Sequence, residues 1–439
     1  MIPILTSEQM RRADARAVAR RSTSALVHDA GTAVALQART MLGRCYGARV
    51  AVLVGPGLNG ADGRVAAAWL QSRGARVEVV DVAHQPGTLA GYDLIVDAGF
   101  GLGCRRPYDA PHVGSARVLA VDLPSGVDAD SGAILGSPLV AEVTLALGAL
   151  KPAHVTGPST RVMGEVRFAG LGIVENFVDG LVEDSDLGSL VEIALDDHKW
   201  KHAIQAYVGS APMAGAAWLV ARGALVGCAS MIRMASRDDD HHVIPLPPEV
   251  VRTAEVSVDR RCRAVVAGPG LGPDARTWLA DRLADVTVPV VLDADGLDRE
   301  LVFTTASGRG WILTPHDGEF ARLSGGPVPE NRLNAVRDLA RATGCVVLLK
   351  GPTTVLADSA GVVRVVQSGT AALASAGSGD VLAGLIAATV ARGHGPLEAG
   401  ALCAHLHGRA GSDLPLYASA SALPDAIARR LERAATSPS

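Results

Sequence analysis

At 439 residues the chain exceeds one ordinary domain, and a prior of roughly 150 residues per domain predicts two or three. A hydrophobic fraction of 48% with only 3% aromatics and 49 glycines points to an interior of Ala, Val and Leu with many turns and close backbone approaches, which is α/β composition. The net charge of -4, without any basic run, argues against nucleic acid as a partner but leaves room for a small anion held by backbone N–H groups.

Thr6 caps a predicted helix through Ala19, and a second helix is expected over Ser24 to Leu42. Strands then alternate with helices: Arg49 to Gly55, a helix from Gly63 to Ser72, Arg76 to Asp81, Leu94 to Asp97 and Val118 to Asp122. That rhythm predicts a parallel sheet with helices on both faces. An acidic, turn-rich stretch around residues 180 to 198 marks the expected junction, which divides the chain into domains 1–185 and 196–435. The second series has predicted strands at Ala203 to Val208, Ala264 to Ala267, Val288 to Asp293, Trp311 to Thr314 and Cys345 to Lys350, with helices at Ala214 to Gly227, Asn331 to Ala342 and Asp380 to Gly393. The tail from Ala434 is expected to be disordered, and no repeat of 20 to 50 residues suggests a solenoid.

Six scattered cysteines without Cys-x-x-Cys spacing read as buried free thiols in a reducing compartment. The N-terminus lacks the pattern of a signal peptide, and no run of about 18 apolar residues occurs, so a soluble cytoplasmic protein without membrane contact is expected.

Two glycine-rich loops carry the chemistry. In the first half, Gly55-Pro-Gly-Leu-Asn-Gly-Ala-Asp-Gly63 lies between a strand and a helix, where a dinucleotide phosphate needs a turn free of side chains and a helix N-terminus. A tight strand-to-helix turn needs glycine in any case. Asp97 and Asp122 end predicted strands, the place where open α/β sheets bind ligands. Asp122 opens Asp-Leu-Pro-Ser-Gly-Val-Asp, either bringing Ser125 beside it or merely capping a turn. Asn59, Asp97 and Ser125 offer oxygen ligands for a hard cation such as potassium or magnesium if they converge.

These segments, with Val96-Asp-Ala-Gly-Phe-Gly-Leu-Gly103 and Thr144 to Lys151-Pro in the same order, resemble the NAD(P)H-hydrate epimerase domain over residues 5 to 178. The resemblance implies a Rossmann-like three-layer α/β sandwich. It implies potassium on Asn59, Asp97 and Ser125, and hydrated dinucleotide on Leu58, Asn59, Gly60, Ala61, Asp62, Gly101, Leu102, Gly103, Cys104, Arg105, Arg106, Pro107 and Asp122. Asp122 would be the acid/base. The family pattern has Asn at Leu58 and Gly at Ala61, so a side-chain contact is lost or replaced by backbone.

In the second half, Ala374-Ser-Ala-Gly-Ser-Gly-Asp-Val-Leu-Ala-Gly384 puts Gly-Ser-Gly before Asp380 and an apolar helix. Phosphate would rest on that backbone while Asp380 takes a proton from an attacking hydroxyl. A plain helix-terminal acid would leave the preceding glycines unexplained. Gly268-Pro-Gly-Leu-Gly272, Thr314-Pro-His-Asp-Gly-Glu-Phe320 and Lys350-Gly-Pro-Thr-Thr354 support the same reading, although His316 alone suits a turn and Lys350 alone a solvated strand end.

Together with Val291 to Leu297 and Gly209 to Ala216, these motifs resemble the ADP- or ATP-dependent NAD(P)H-hydrate dehydratase of the ribokinase-like superfamily over residues 196 to 432. The resemblance implies a ribokinase-like α/β domain. It places the hydrate on Ala216, Gly272, His316 and Asp380, and ADP or ATP, with magnesium, on Lys350, Gly351, Pro352, Thr353, Thr354 and Gly379. The catalytic residue would be Asp380. Met213, Asp298, Asp317, Ala376 and Gly227-Cys-Ala depart from the family pattern.

The expected protein is thus a homo-oligomeric bifunctional enzyme that epimerises hydrated NADH and NADPH and dehydrates the S hydrate. Its rivals are a small-molecule kinase of the vitamin-precursor type, which would have no need of the first half, and a weakened dinucleotide-binding scaffold.

Overall fold

Buried β-branched segments pair into two large sheets in a computed structural model of the chain, which describes residues 1–174, 176–191, 198–237, 246–254 and 256–436. The chain divides into two compact units, Ile2–Asp179 and Gly180–Ser439, with Met1 counted in the second. Residues 192–197 of the expected junction lie outside the described residues. No helix among the described residues is long and apolar enough to cross a membrane. All six cysteines are free thiols and all but Cys228 are buried.

In the first unit, helices α1 (Ser7–Arg21) and α2 (Thr23–Leu42) precede strands β1 (Arg49–Val54), β2 (Arg76–Asp81), β3 (Leu94–Ala98), β4 (Arg117–Val121), β5 (Val143–Leu147) and β6 (Glu165–Ala169), with α3 (Leu58–Gln71) after β1. The strands form one sheet in the order β2-β1-β3-β4-β5-β6, every pair parallel. Val50, Val52, Val54, Leu94, Val96, Leu119 and Val121 point to one face, where α2 and α3 cover them with Val34, Ala35, Ala38, Ala66 and Leu70. The alternate residues Ala51, Leu53, Ile95, Val118 and Ala120 face the other side, where Leu89, Leu139 and Ala141 of connecting segments pack on them. Helices were expected on both faces; α2 and α3 lie together on one, and loops cover the other.

The order reverses beside β1, because β2 lies to one side of it and β3 to the other. Such a switch point opens a crevice at the carboxyl ends of the strands. There α3 begins at Leu58, five residues before the predicted Gly63, so most of the glycine motif forms the helix's first turns. Close packing explains this: a Cβ on Gly60 would lie 2.0 Å from the Gly55 carbonyl oxygen, and one on Gly55 would lie 1.7 Å from that of Gly99.

In the second unit, strands β7 (Gly180–Leu181), β8 (Ala203–Ser210), β9 (Met231–Arg237), β10 (Val250–Arg252), β11 (Ala264–Ala267), β12 (Val290–Leu292), β13 (Ile312–Leu313), β14 (Val346–Leu349), β15 (Thr354–Ala357) and β16 (Val363–Val366) pair in the order β7-β16-β15-β14-β13-β12-β11-β8-β9-β10. Only the β14-β15 and β15-β16 pairs are antiparallel. Helices α4 (Ala214–Val226), α5 (Ala275–Leu283), α6 (Asp317–Ser324), α7 (Arg332–Thr343), α8 (Ser378–Ala391), α9 (Pro396–Ser412) and α10 (Leu423–Thr436) complete it. Ile204, Ala206, Val266, Val291 and Leu348 meet Val220, Leu385, Ile386, Leu406 and Ile427 from α4, α8, α9 and α10 in one continuous core. The helix α10 runs through Ala434 to Thr436, where a disordered tail was expected; residues 437–439 lie outside the described residues.

Candidate functional site

The crevice of the first unit is a cavity of about 400 Å³ at the carboxyl ends of β1, β3 and β4. Leu58, Asn59 and Asp62 of α3, Gly101, Leu102, Gly103 and Cys104, and Asp122 line it, with Lys151 and Asp14 as polar additions. A second hollow of about 730 Å³ shares Phe100, Gly103 and Cys104 with the first and takes in Arg105, Arg106 and Pro107. The motif residues therefore converge. Gly60 and Ala61 lie behind the lining, in the first turns of α3.

Asp122 is held in a left-handed conformation, φ +64°, at the end of β4. A non-glycine residue there carries backbone strain of the kind that functional sites retain. Its carboxylate accepts hydrogen bonds at Oδ1 from the Lys151 ammonium and from the Leu147 N–H at 3.1 Å. Lys151 also donates to the carbonyls of Leu147 at 2.8 Å and Ala149 at 3.0 Å, so its charge is fixed in place. His154 locks the arrangement from behind: its Nδ1 accepts from the Lys151 N–H at 2.8 Å, and its Nε2 donates to the Asp122 carbonyl at 2.6 Å. Burial lowers His154 to about 4, which keeps the ring neutral and its tautomer set.

Asp62 lines the same cavity as Asp122. Burial, reinforced by the charges of Asp122 and Asp14, raises its carboxyl to about 8. Asp14 of α1 is also raised, first by burial and against the pull of Lys151.

Asp97 and Ser125 meet behind the cavity, out of contact with solvent. The Ser125 hydroxyl donates to Asp97 Oδ1 at 2.6 Å and its N–H to Oδ2 at 2.8 Å, while Ser125 Oγ accepts from the Phe100 N–H. Burial outweighs these bonds and raises the Asp97 carboxyl. Asn59 approaches from α3, donating to the Val121 carbonyl at 2.7 Å, and its amide packs against Gly101.

In the second unit, α8 begins at Ser378, two residues before the predicted start, with Gly377 as its left-handed cap at φ +91°. Asp380 thus sits in the first turn. Lys350, at the end of β14, donates to Asp293 Oδ1 at 2.7 Å and lies 3.8 Å from Glu319. Thr314 donates to the same Asp293 oxygen at 2.8 Å. Burial works against the Lys350 charge, but Asp293, Glu319 and Asp380 outweigh it and raise its pKa. Burial, then the Asp293 charge, raise Asp380 to about 7, opposed by Lys350 and aided by Asp295. Gly379 faces the lysine: a Cβ there would stand 3.4 Å from Lys350 Nζ.

Gly272 joins this group because its N–H donates to Asp295 Oδ2 at 2.8 Å. Its loop packs on α4: a Cβ on Gly270 would stand 2.6 Å from that of Ala216. His316 caps α6, accepting from the N–H groups of Gly318 and Glu319, with Nε2 3.4 Å from Glu319 Oε1. Its turn role is therefore compatible with a place beside Glu319, whose other oxygen faces Lys350. Residues 350–353 form the turn between β14 and β15, Thr354 opens β15, and Arg332 holds the turn by donating to the Lys350 carbonyl at 3.1 Å.

The departures from the family pattern have local roles. Asp298 caps a short helix by accepting from Leu301 N, Asp317 pairs with Arg332 at 2.9 Å, and Met213 packs beside Gly270 and Gly272. Leu58 is an exposed apolar member of the first cavity's rim.

Asp14 and His154 had no place in the sequence reading of the site, while Lys151, Asp293, Asp295 and Glu319 figured only as letters in motifs. A lone Lys151 closing the apolar run Leu145-Ala-Leu-Gly-Ala-Leu was the one available signal.

Residues 206–433 match the family model described as NAD(P)H-hydrate dehydratase, and residues 23–90 and 81–153 match that of the YjeF-related protein N-terminus. A bifunctional NAD(P)H-hydrate repair enzyme of Mycobacterium tuberculosis is 36% identical over 397 residues, covering 82% of this chain and 81% of its own. The chain belongs to the bifunctional NAD(P)H-hydrate repair enzyme family. Another member, from Thermofilum pendens, is 31% identical over 459 residues, covering 88% of this chain and 86% of its own. The solved ADP/ATP-dependent NAD(P)H-hydrate dehydratase of Bacillus subtilis, co-crystallized with ATP and Mg2+, is 26% identical, covers 57% of this chain and 97% of its own, and has a TM-score of 0.50. The two family matches fall in different units, the N-terminal match within Ile2–Asp179 and the dehydratase match within Gly180–Ser439.

Proposed function

We infer that the chain repairs hydrated NADH and NADPH, its first unit interconverting the R and S hydrates and its second dehydrating the S hydrate at the expense of ADP or ATP. The observation that carries this reading is the pair of acids, Asp122 at the end of β4 and Asp380 in the first turn of α8, each in its own glycine-lined site.

Hydroxide is a poor leaving group, and phosphorylation of the ring hydroxyl makes a good one. In the second unit the N-terminus of α8 cradles the nucleotide phosphates with backbone N–H groups and its dipole. Asp380 removes the proton as the hydroxyl oxygen attacks phosphorus. The ring nitrogen's lone pair then expels phosphate, forming a carbon–nitrogen double bond, and loss of a proton from the neighbouring ring carbon returns that pair to nitrogen and restores the dihydropyridine. Lys350, held beside Gly379 by Asp293, places a positive charge at the phosphates, and residues 350–354 carry the rest of the nucleotide. Magnesium would enter on the nucleotide phosphates.

In the first unit Asn59, Asp97 and Ser125 suit potassium. Asp97 is a buried carboxylate whose hydrogen bonds come from Ser125 and Gly99 and from no cationic side chain, and amide, hydroxyl and carboxylate oxygens are hard ligands. The bound cation would supply positive charge near the dinucleotide; the residues of the cavity hold the ring against Asp122.

The test follows dihydronicotinamide absorbance with separated S and R hydrates and either nucleotide. Asp380→Ala should abolish recovery while interconversion continues, and Asp122→Ala should stop interconversion while the S hydrate is still dehydrated. Loss of both activities from either change in folded protein would overturn the division of labour.

A further inference from the structure

Inverting a carbon by removing and returning its hydroxyl requires chemistry on both faces of the ring, and Asp122 occupies one side of the cavity. Lys151 cannot serve the other, because its ammonium is spent on Asp122, Leu147 O and Ala149 O. His154 has both ring nitrogens engaged behind the site. Two acids remain, Asp14 and Asp62; Asp14 is only partly buried and lies under the pull of Lys151, whereas Asp62 is 6% exposed and is held by burial and by the charges around it, with no hydrogen bond among those influences.

The topology sets the two acids apart. Asp62 comes from α3, which leaves β1, and Asp122 ends β4, with β3 between them. Two carboxyls that enter one cavity from different elements can flank a ring and a water, as the acid and base of inverting glycosidases do. We propose that Asp62 is the second catalytic acid/base of the epimerase cavity, acting on the ring face opposite Asp122. The inference rests on the epimerase reading of this unit.

The step balances as follows. Asp62, protonated, gives its proton to the ring hydroxyl; the carbon–oxygen bond breaks, water leaves, and the nitrogen lone pair forms a carbon–nitrogen double bond. A second water attacks from the opposite face; its oxygen bonds to carbon, the double-bond pair returns to nitrogen, and Asp122 takes the proton. The carbon is inverted, Asp62 has lost a proton and Asp122 has gained one, and the reverse reaction uses the same two groups in exchanged roles. The raised carboxyl of Asp62 suits the starting state, a proton donor at neutral pH beside a partner paired with lysine.

Asp62→Asn and Asp122→Asn, made in the full chain, would be assayed without nucleotide in ¹⁸O water, starting from each separated hydrate. Both should lose inversion by at least about 100-fold in kcat, with KM changed only a few-fold. Each should still exchange its hydroxyl oxygen with retained configuration for the one epimer whose hydroxyl faces the surviving carboxyl, so the two variants label opposite epimers. A merely structural aspartate would not produce that crossed pattern. Inversion by Asp62→Asn at near wild-type rate, labelling of the same epimer by both variants, or loss of inversion in Asp14→Asn but not in Asp62→Asn would overturn the assignment. A wild-type enzyme that inverts neither hydrate would instead defeat the epimerase reading itself.

Discussion

Lys151 is 1% exposed, and acceptors surround its ammonium: Asp122 Oδ1 and the carbonyls of Leu147 and Ala149. Removing one partner of a buried ion pair strands the other, at a typical cost of about 3–5 kcal/mol. Lys151→Met should therefore destabilise the first unit by that amount in urea unfolding, and abolish interconversion of the hydrates. Asp122→Leu combined with Lys151→Met should cost less than the sum of the single changes by about 1–3 kcal/mol, because the double change leaves no stranded charge. Strictly additive costs would show that the pair does not act as a unit.

At the other acid, the raised carboxyl of Asp380 makes a prediction with a definite sign. A group that works as a base must be ionised, so with Asp380 titrating at about 7 the dehydration rate should rise about tenfold between pH 6 and pH 8. Stability runs the opposite way. Between 3.8 and about 7 the unfolded chain has released this proton and the folded chain retains it, so Asp380 makes the fold progressively less stable as pH climbs through that window. Asp380→Asn should remove that component from the pH dependence of unfolding; an unchanged profile would place the titration elsewhere.

At the scale of elements, α4 and α8 cross through reciprocal notches. A Cβ on Gly223 would lie 2.1 Å from the Val381 carbonyl oxygen, and one on Gly384 would lie 2.1 Å from that of Val220. Alanine is favoured over glycine within a helix by about 1 kcal/mol, but overpacking against backbone costs about 1–3 kcal/mol and here no flexible side chain can yield. Gly384→Ala and Gly223→Ala should each lower stability on balance and, because the first turn of α8 carries Asp380, slow dehydration without affecting interconversion of the hydrates.

The same elements show what the sequence makes legible. The β-branched runs of β1, β3, β11 and β14 announce strands, and the glycine loops announce turns at their ends. The start of α3 was misplaced because glycine reads as a helix breaker, whereas Gly60 is helical so that α3 can lie against Gly55. The helix α9 went unread because buried residues on every side of it, including His405 and His407, erase its periodicity. The motif acids were readable from spacing alone, but their partners were not. Asp122 meets Lys151 29 residues away and Asp293 meets Lys350 57 residues away, and such pairs exist only once parallel strands lie side by side.

Across the whole molecule, the two chemistries share a diffusible intermediate. A dehydratase pocket shaped for one configuration consumes the S hydrate and leaves the R hydrate behind, and the first unit returns R to S. From a mixture of both hydrates, the Asp122→Ala protein with ADP or ATP should therefore recover only the S fraction as dihydronicotinamide. The Asp380→Ala protein should recover nothing. Because a free hydrate can leave one chain and enter another, mixing the two variants should restore full recovery, at a rate that grows with the concentration of the Asp380→Ala protein until dehydration becomes limiting. Recovery that stays at the S fraction in the mixture, while each variant retains its one activity, would mean that the R hydrate reaches the second unit only within a single chain.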